Sequence, residues 1–291
     1  MLSQLKKLIP DKIRKNRRNK KEARRLALFS KRLDICASQI AHMLHLSGRR
    51  SIEGKVCVEV GSGWVLSHAL IFYLLGAQKV IATDIAPLAY PQFLLESVHK
   101  AELSLVRDIL APFSEHYLVR KRIETLRTLP LFSFDTLKLL GIEYQAPIDF
   151  SVSTLDVPYD VIYSFSVLEH VFNKKVPALL KNLTKNLKPN GIMLHAVHLE
   201  DHKDFINQPF AFLSKPETLF SESMQNERGN RIRSSQWIEL LNGVKGLDWK
   251  MIYKWERRDR MLPNIIDVSI LNKGEQDLRV SHLGIFGEKK F

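Results

Sequence analysis

The segment Val56-Cys57-Val58-Glu59-Val60-Gly61-Ser62-Gly63 constrains the fold of this chain more than any other. An apolar run ends in a turn with two glycines, and the segment from Ser67 to Leu75 reads as a helix stopped by Gly76. A second apolar run, Val80-Ile81-Ala82-Thr83, then closes on Asp84. Strand, glycine turn, helix, strand and terminal acid form the βαβ unit that holds a nucleoside. Missing Cβ atoms let the backbone approach the ligand, and the acid takes both ribose hydroxyls.

Departures from the dinucleotide pattern narrow the nucleoside. The third glycine of that pattern would fall at Leu66, and no lysine stands where a phosphate-cradling loop needs one. Glu59 places negative charge where it would repel a phosphate but attract the ammonium of an amino-acid moiety.

Later segments continue the alternation. Asp149-Phe150 closes a candidate third strand, Tyr159 to Val171 reads as a fourth strand running into a helix, and Leu187-Lys188-Pro189-Asn190-Gly191 reads as helix end and turn before a fifth. Glu59-x-Gly61-x-Gly63, Tyr159-Asp160-Val161-Ile162, Leu168-Glu169-His170-Val171 and Leu187-Lys188-Pro189-Asn190-Gly191 resemble, in order and spacing, the class I S-adenosylmethionine-dependent methyltransferases over roughly residues 52 to 200. Val65 departs from it, standing where many members carry a further glycine. The resemblance implies a Rossmann-like, doubly wound, mostly parallel seven-stranded α/β sheet with helices on both faces and an antiparallel last strand. It also implies S-adenosyl-L-methionine as cofactor, held by Glu59, Gly61, Ser62, Gly63, Asp84, Ile85, Asp149, Phe150 and Ser164.

Residues 90 to 140 exceed what one helix and one strand need between Asp84 and Tyr159, and their apolar spacing predicts a helical insertion. A second insertion is expected at about 200 to 235, with Phe205, Phe210, Phe212, Leu213 and Phe220 forming a lid or acceptor pocket. Trp249, Met251, Tyr253 and Trp255 alternate as in a strand, and Arg279 to Phe286 is expected to complete an antiparallel edge.

Ligands of open α/β sheets sit at the carboxyl ends of the strands, so the loops there should meet the acceptor. His198, Asp201 and His202 follow strand five and are candidates for a proton-accepting pair. His170 stands beside the cofactor turn, and Arg231 or Arg233 could fork onto an acceptor carboxylate or phosphate. Ser234 is expected to cap a helix from Ser235 to Leu241. No metal site is assigned, because His195 and His198 project to opposite faces of one strand. Asp201-His202 and Asn230-Arg231-x-Arg233-Ser234 also resemble bacterial methyltransferases with glycan-related or undefined acceptors.

The chain of 291 residues carries a net charge of +13 and 45% hydrophobic residues, enough for one sizeable core. Residues 1 to 32 hold Lys and Arg at thirteen positions against Asp11 and Glu22, so the charge belongs to this segment and the domain proper runs from 33 to 291. Leu2, Leu5, Leu8, Ile9 and Ile13 recur near helical spacing among these bases. An anionic membrane surface bound through residues 1 to 20, a solvated arm, and RNA contact all remain open. Cys36 and Cys57 form no disulfide framework, and no apolar run reaches the length of a membrane span. The expected location is the cytoplasm, with peripheral contact at the inner face of a membrane as one option.

No Pro-Pro-aromatic run follows strand four, and neither cysteine is placed as a nucleophile, which lowers the weight of base methylation. The reading is methyl transfer to oxygen, or less favoured nitrogen, of a small-molecule or glycan acceptor. The alternatives are an RNA methyltransferase using the basic arm and a cofactor-binding, non-catalytic partner protein.

Overall fold

The computed structural model describes residues 11–48 and 51–291, with side chains of the first helix from residue 15 onward. The expected apolar positions Leu2, Leu5, Leu8 and Ile9 and the Ile13 side chain lie outside the described residues. From Asp11 to Leu28 the basic segment is a helix, α1. It buries Ala23 and Ala27 and is tied down by Arg24 to Glu96 at 2.7 Å and by the Tyr90 hydroxyl donating to Asn16 at 2.8 Å. Helix α2, Leu33–Ser47, buries Leu33, Cys36, Ile40 and Leu44 at helical spacing, and Gly48 ends it in the left-handed region.

The βαβ unit follows as β1 (Val56–Val60), α3 (Ser67–Leu74) and β2 (Lys79–Thr83). Strands β1 and β2 pair in parallel from Val56 opposite Lys79 to Val60 opposite Thr83. The helical insertion consists of α4 (Gln92–Lys100), α5 (Leu103–Leu110), α6 (His116–Thr128) and α7 (Phe134–Leu139). Strand β3 is Ile142–Gln145, so Asp149 and Phe150 lie in the loop beyond it instead of closing it. Pro147 has no N–H to continue the ladder, and the next amide, of Ile148, turns to the Asp84 carbonyl at 2.8 Å.

Strand β4 (Tyr159–Phe165), helix α8 (Val176–Lys185) and strand β5 (Leu187–His198) come next. The Lys188-Pro189-Asn190-Gly191 turn is a bulge within β5: the register slips between Tyr159 opposite Leu187 and Val161 opposite Ile192. Then follow α9 (Glu222–Arg228), α10 (Ser234–Asn242), β6 (Leu247–Glu256), α11 (Glu275–Leu278) and β7 (Val280–Lys289).

The seven strands lie in the order β3-β2-β1-β4-β5-β7-β6. The last strand, β7, is antiparallel to both neighbours as expected, but it lies inside the sheet and β6 takes the edge. The chain reverses its direction of winding between β1 and β4, where the crevice of such a sheet opens. On one face α2 and α3 pack over the sheet, with Phe72 stacked on Tyr163 at 3.9 Å between ring centroids. On the other face α8 and α10 contribute Leu179, Leu180, Leu183 and Trp237.

Between β5 and α11, Phe210, Phe212, Leu213 and Phe220 close with Ile270 and Leu278 into a separate small core. The expected lid or pocket is thus mostly interior packing, and Phe205 alone of that aromatic group is exposed. Among the described residues no helix is long and apolar enough to cross a membrane.

Candidate active site

The turn after β1 is built on two left-handed glycines, Gly61 at φ 70° and Gly63 at φ 65°. A Cβ on Gly61 would come within 2.6 Å of the Val167 side chain, so the absent atom lets the turn pass close under the β4 loop. The Gly63 amide donates to Asp84 at 2.8 Å, which binds the turn to the end of β2. Two non-glycine residues nearby, Leu66 at φ 63° and Ser166 at φ 55°, also adopt the left-handed region, as is common at ligand sites.

A cavity of about 240 Å³ opens above these turns. Gly61, Asp84, Ile85, Asp149, Phe150 and His170 line it together, drawn from the loops after β1, β2, β3 and β4. Asp84 is buried, and burial raises its carboxyl while the amides of Gly63 and Ala86 pull it back toward the charged form. One Asp149 oxygen accepts from the Ser151 amide at 2.8 Å. Ile85 is 61% exposed at the rim, an apolar face for a planar base.

Glu59 lies beneath, inside the core. Burial pushes its carboxyl up to about 7, opposed by the charge of Lys31 and by Ser62. Its Oε1 stands 3.7 Å from His68, whereas Oε2 has no hydrogen-bond partner. An unpartnered buried carboxylate oxygen, a glycine cradle and an acid at the ribose position fit S-adenosylmethionine, for which Asp84 could take the ribose, Asp149 and Ile85 the adenine and Glu59 the ammonium. Ser164 is fully buried, its hydroxyl 2.7 Å from His195, and does not line the cavity.

Histidines crowd the far wall. His170 is 4.4 Å from His202, which is 4.6 Å from His198, which stacks on His282 at 4.2 Å between ring centroids. Of the four, only His170 lines the cavity. Asp201 does not support a histidine: it is buried and paired with Arg228, Oδ1 accepting from Nε at 2.9 Å. Glu200 takes that place, accepting from His198 at 2.7 Å and from Arg257 at 2.7 Å. Burial works against the Glu200 carboxylate, yet those two partners outweigh it and hold the group below its ordinary range.

The two arginines are engaged within the fold, although Nη1 of Arg233 is buried without a hydrogen-bond partner. Arg233 is 1% exposed and donates to the Leu199 carbonyl at 2.8 Å and the Arg231 carbonyl at 3.1 Å. Arg231 donates to the Lys215 carbonyl at 2.5 Å, lies 4.0 Å over the Phe220 ring and faces a different cavity. Ser234 does not cap its helix; it is the first helical residue, and Asp277 caps the turn by accepting from the Ser235 amide at 3.0 Å.

Sequence reasoning missed three side chains. Lys31 belongs to the basic segment, yet its charge acts on Glu59 and on Glu169, and its carbonyl is held by Ser67 at 2.6 Å at the start of α3. Glu169 stands out in sequence only as part of a motif, and His282 comes from the distant strand β7. The Glu169-His170 pair was the one local signal available.

Fold and site define an S-adenosylmethionine-dependent methyltransferase of class I. A family model described as a methyltransferase domain matches residues 36–244, and the chain belongs to that family. No curated protein matches the sequence. Solved structures similar to it include the N-methyltransferase NodS from Bradyrhizobium japonicum WM9 with S-adenosyl-L-homocysteine, 12% identical over 87% of this chain and 86% of that one, with a TM-score of 0.40. Magnesium protoporphyrin IX methyltransferase from Synechocystis PCC 6803, also with S-adenosylhomocysteine, is 10% identical over 88% and 82%, TM-score 0.45. YcgJ from Bacillus subtilis is 14% identical over 87% and 99%, TM-score 0.46.

Proposed function

We propose that the protein methylates an oxygen of a small-molecule or glycan acceptor, chiefly by holding donor and acceptor in line. The observation that carries this reading is the cavity lined together by Gly61, Asp84, Asp149 and His170. His198, oriented by Glu200, stands behind His170 and His202 and does not line that cavity, so it is not given the acceptor's proton.

When bound, the cofactor supplies an electrophilic methyl on a sulfonium. At the acceptor oxygen a new C–O bond would form as the C–S bond broke, with its electron pair left on sulfur and the hydroxyl proton lost to water. Asp84 and the Gly61–Gly63 turn fix the donor, so that much of the rate comes from alignment. Glu59 holds the ammonium, and the walls formed by Phe150 and Val167 exclude water.

The test is the His198→Ala variant on an oxygen acceptor. Turnover should fall by less than the roughly 10²–10⁴ of a lost general base while cofactor affinity is unchanged. A loss within that range would overturn the reading and give His198 the proton.

A second reading, RNA as acceptor, draws on the position of α1: Arg18, Lys21 and Arg25 border an open hollow with Trp64, in the loop that follows the glycine turn. It predicts RNA binding with a steep salt dependence that is lost on removal of residues 1 to 20. Sedimentation of the intact protein with anionic vesicles, lost in the same truncation, would instead support membrane attachment.

A further inference from the structure

Glu169 and His170, in the turn after β4, meet His202, in the loop after β5. One donor atom from each lies within 4.8 Å of the other two. Glu169 is 1% exposed, and neither of its carboxylate oxygens has a hydrogen-bond partner. His202 Nε2 is also buried and unpartnered, and it stands 3.7 Å from Glu169 Oε1, too far for a direct hydrogen bond. His170 Nδ1 lies 2.6 Å from the Asn226 carbonyl. A carbonyl only accepts, so Nδ1 carries the hydrogen and the Nε2 lone pair is left free, as in histidines that bind metals.

A buried carboxyl group beside two imidazoles is either neutral or paired with a cation. The charge of Lys31 reaches Glu169, but Lys31 donates no hydrogen bond to it. The neighbouring His198, Glu200 and His282 also approach one another closely, yet they differ in a decisive respect. There Glu200 is already engaged by both His198 and Arg257, and the guanidinium would repel a cation.

We propose that Glu169, His170 and His202 bind one divalent first-row transition-metal ion beside the cofactor cavity. One carboxylate and two imidazoles form a borderline donor set that suits Zn²⁺, Fe²⁺ or Mn²⁺, whereas Mg²⁺ and Ca²⁺ prefer oxygen alone. Three protein ligands leave coordination positions open. Because His170 also lines the cavity, an acceptor oxygen could occupy one of them. That last clause rests on the methyl-transfer reading; metal binding itself does not.

The experiment is a titration of untagged, chelator-treated full-length protein with Co²⁺, followed by its visible absorption and without cofactor or acceptor. Wild type is expected to bind one equivalent, displaced stoichiometrically by Zn²⁺. Glu169→Gln and His202→Asn should each weaken binding by more than the roughly 10–100-fold typical of a lost outer partner. Glu200→Gln should leave Co²⁺ affinity close to that of wild type, since Glu200 is engaged by His198 and Arg257 and lies outside the ligand set. Circular dichroism of each variant identifies any that fail to fold; a folded member of the Glu169 and His202 pair decides the matter. Absence of a saturable site in wild type, or wild-type affinity retained in both ligand variants, overturns the proposal. Methyl transfer by a protein without the Co²⁺ site would overturn the metal and leave the enzyme reading intact.

Discussion

The Gly63 amide donates to the Asp84 carboxylate at 2.8 Å, joining the turn after β1 to the end of β2. One acid therefore serves two purposes, since its other oxygen faces the Ala86 amide at 3.2 Å and the carboxylate borders the cofactor cavity.

The two purposes can be separated by substitution. Asp84→Asn keeps an oxygen able to accept from Gly63, so its melting temperature should stay close to wild type. Asp84→Ala leaves that amide without its partner and should lose about 1–2 kcal/mol of stability. Denaturant unfolding of the two variants checks this, and equal stability would show that the turn does not depend on the acid.

Glu59 gives a pH signature. Its folded carboxyl lies at about 7 against an ordinary value of 4.5, so the folded state binds more protons than the unfolded state between those values. The stability associated with protonated Glu59 is present below pH 4.5 and lost as pH rises through 7, on the order of 3 kcal/mol in all. Relative to wild type, Glu59→Gln should therefore be increasingly stable as pH rises through this window, yet bind S-adenosylmethionine more weakly. The measurement is urea unfolding of both proteins across the pH range. A constant difference in stability would contradict the assignment.

Gly61 and Val167 form a steric pair. Gly61→Ala places a methyl group within 2.6 Å of Val167 and also strains a φ of 70°, so stability should fall by about 1–3 kcal/mol. Val167→Ala in the same chain should recover the steric part and leave the backbone part. A double-mutant cycle reads the coupling directly, and strict additivity would argue against the contact.

The buried Asp201–Arg228 pair is assigned to structure and not to proton transfer. Asp201→Asn should destabilise the fold by about 3–5 kcal/mol through the arginine left without its counter-charge. Below the melting transition, turnover of the folded fraction should be nearly unchanged. Loss of turnover without loss of stability would restore Asp201 to the reaction.

These contrasts show what was legible in the sequence and why. Strands β1, β2, β4 and β5 and the Gly61 to Asp84 unit could be read because burial on a central sheet imposes long apolar runs, and the turns between them need glycine. The helical insertion could be read from its length and spacing. Strand β3 was misplaced because the composition of a short strand carries little information, and Pro147 marks its end only once pairing is known.

Partner choice was the least legible feature. Asp201 and Glu200 are adjacent, and the direction of the chain decides which meets a histidine and which meets Arg228. Arg231 and Arg233 look like anion ligands in sequence, but backbone carbonyls and the faces of Phe220 and Phe212 occupy them. Asp277 reaches Ser235 from 42 residues away, which no local pattern contains. The histidine wall likewise gathers β4, β5 and β7, strands brought together only by the sheet order.

Calorimetric titration of the intact protein decides whether the cavity between Gly61, Asp84 and Asp149 holds S-adenosylmethionine. Wild type should bind S-adenosylmethionine and S-adenosylhomocysteine at one site and show no heat with NAD. Asp84→Ala should weaken that binding by about 1.5–3 kcal/mol, as expected for lost hydrogen bonds to a charged partner. Tight NAD binding, no heat with either sulfur nucleoside, or undiminished affinity in the Asp84 variant would contradict the account.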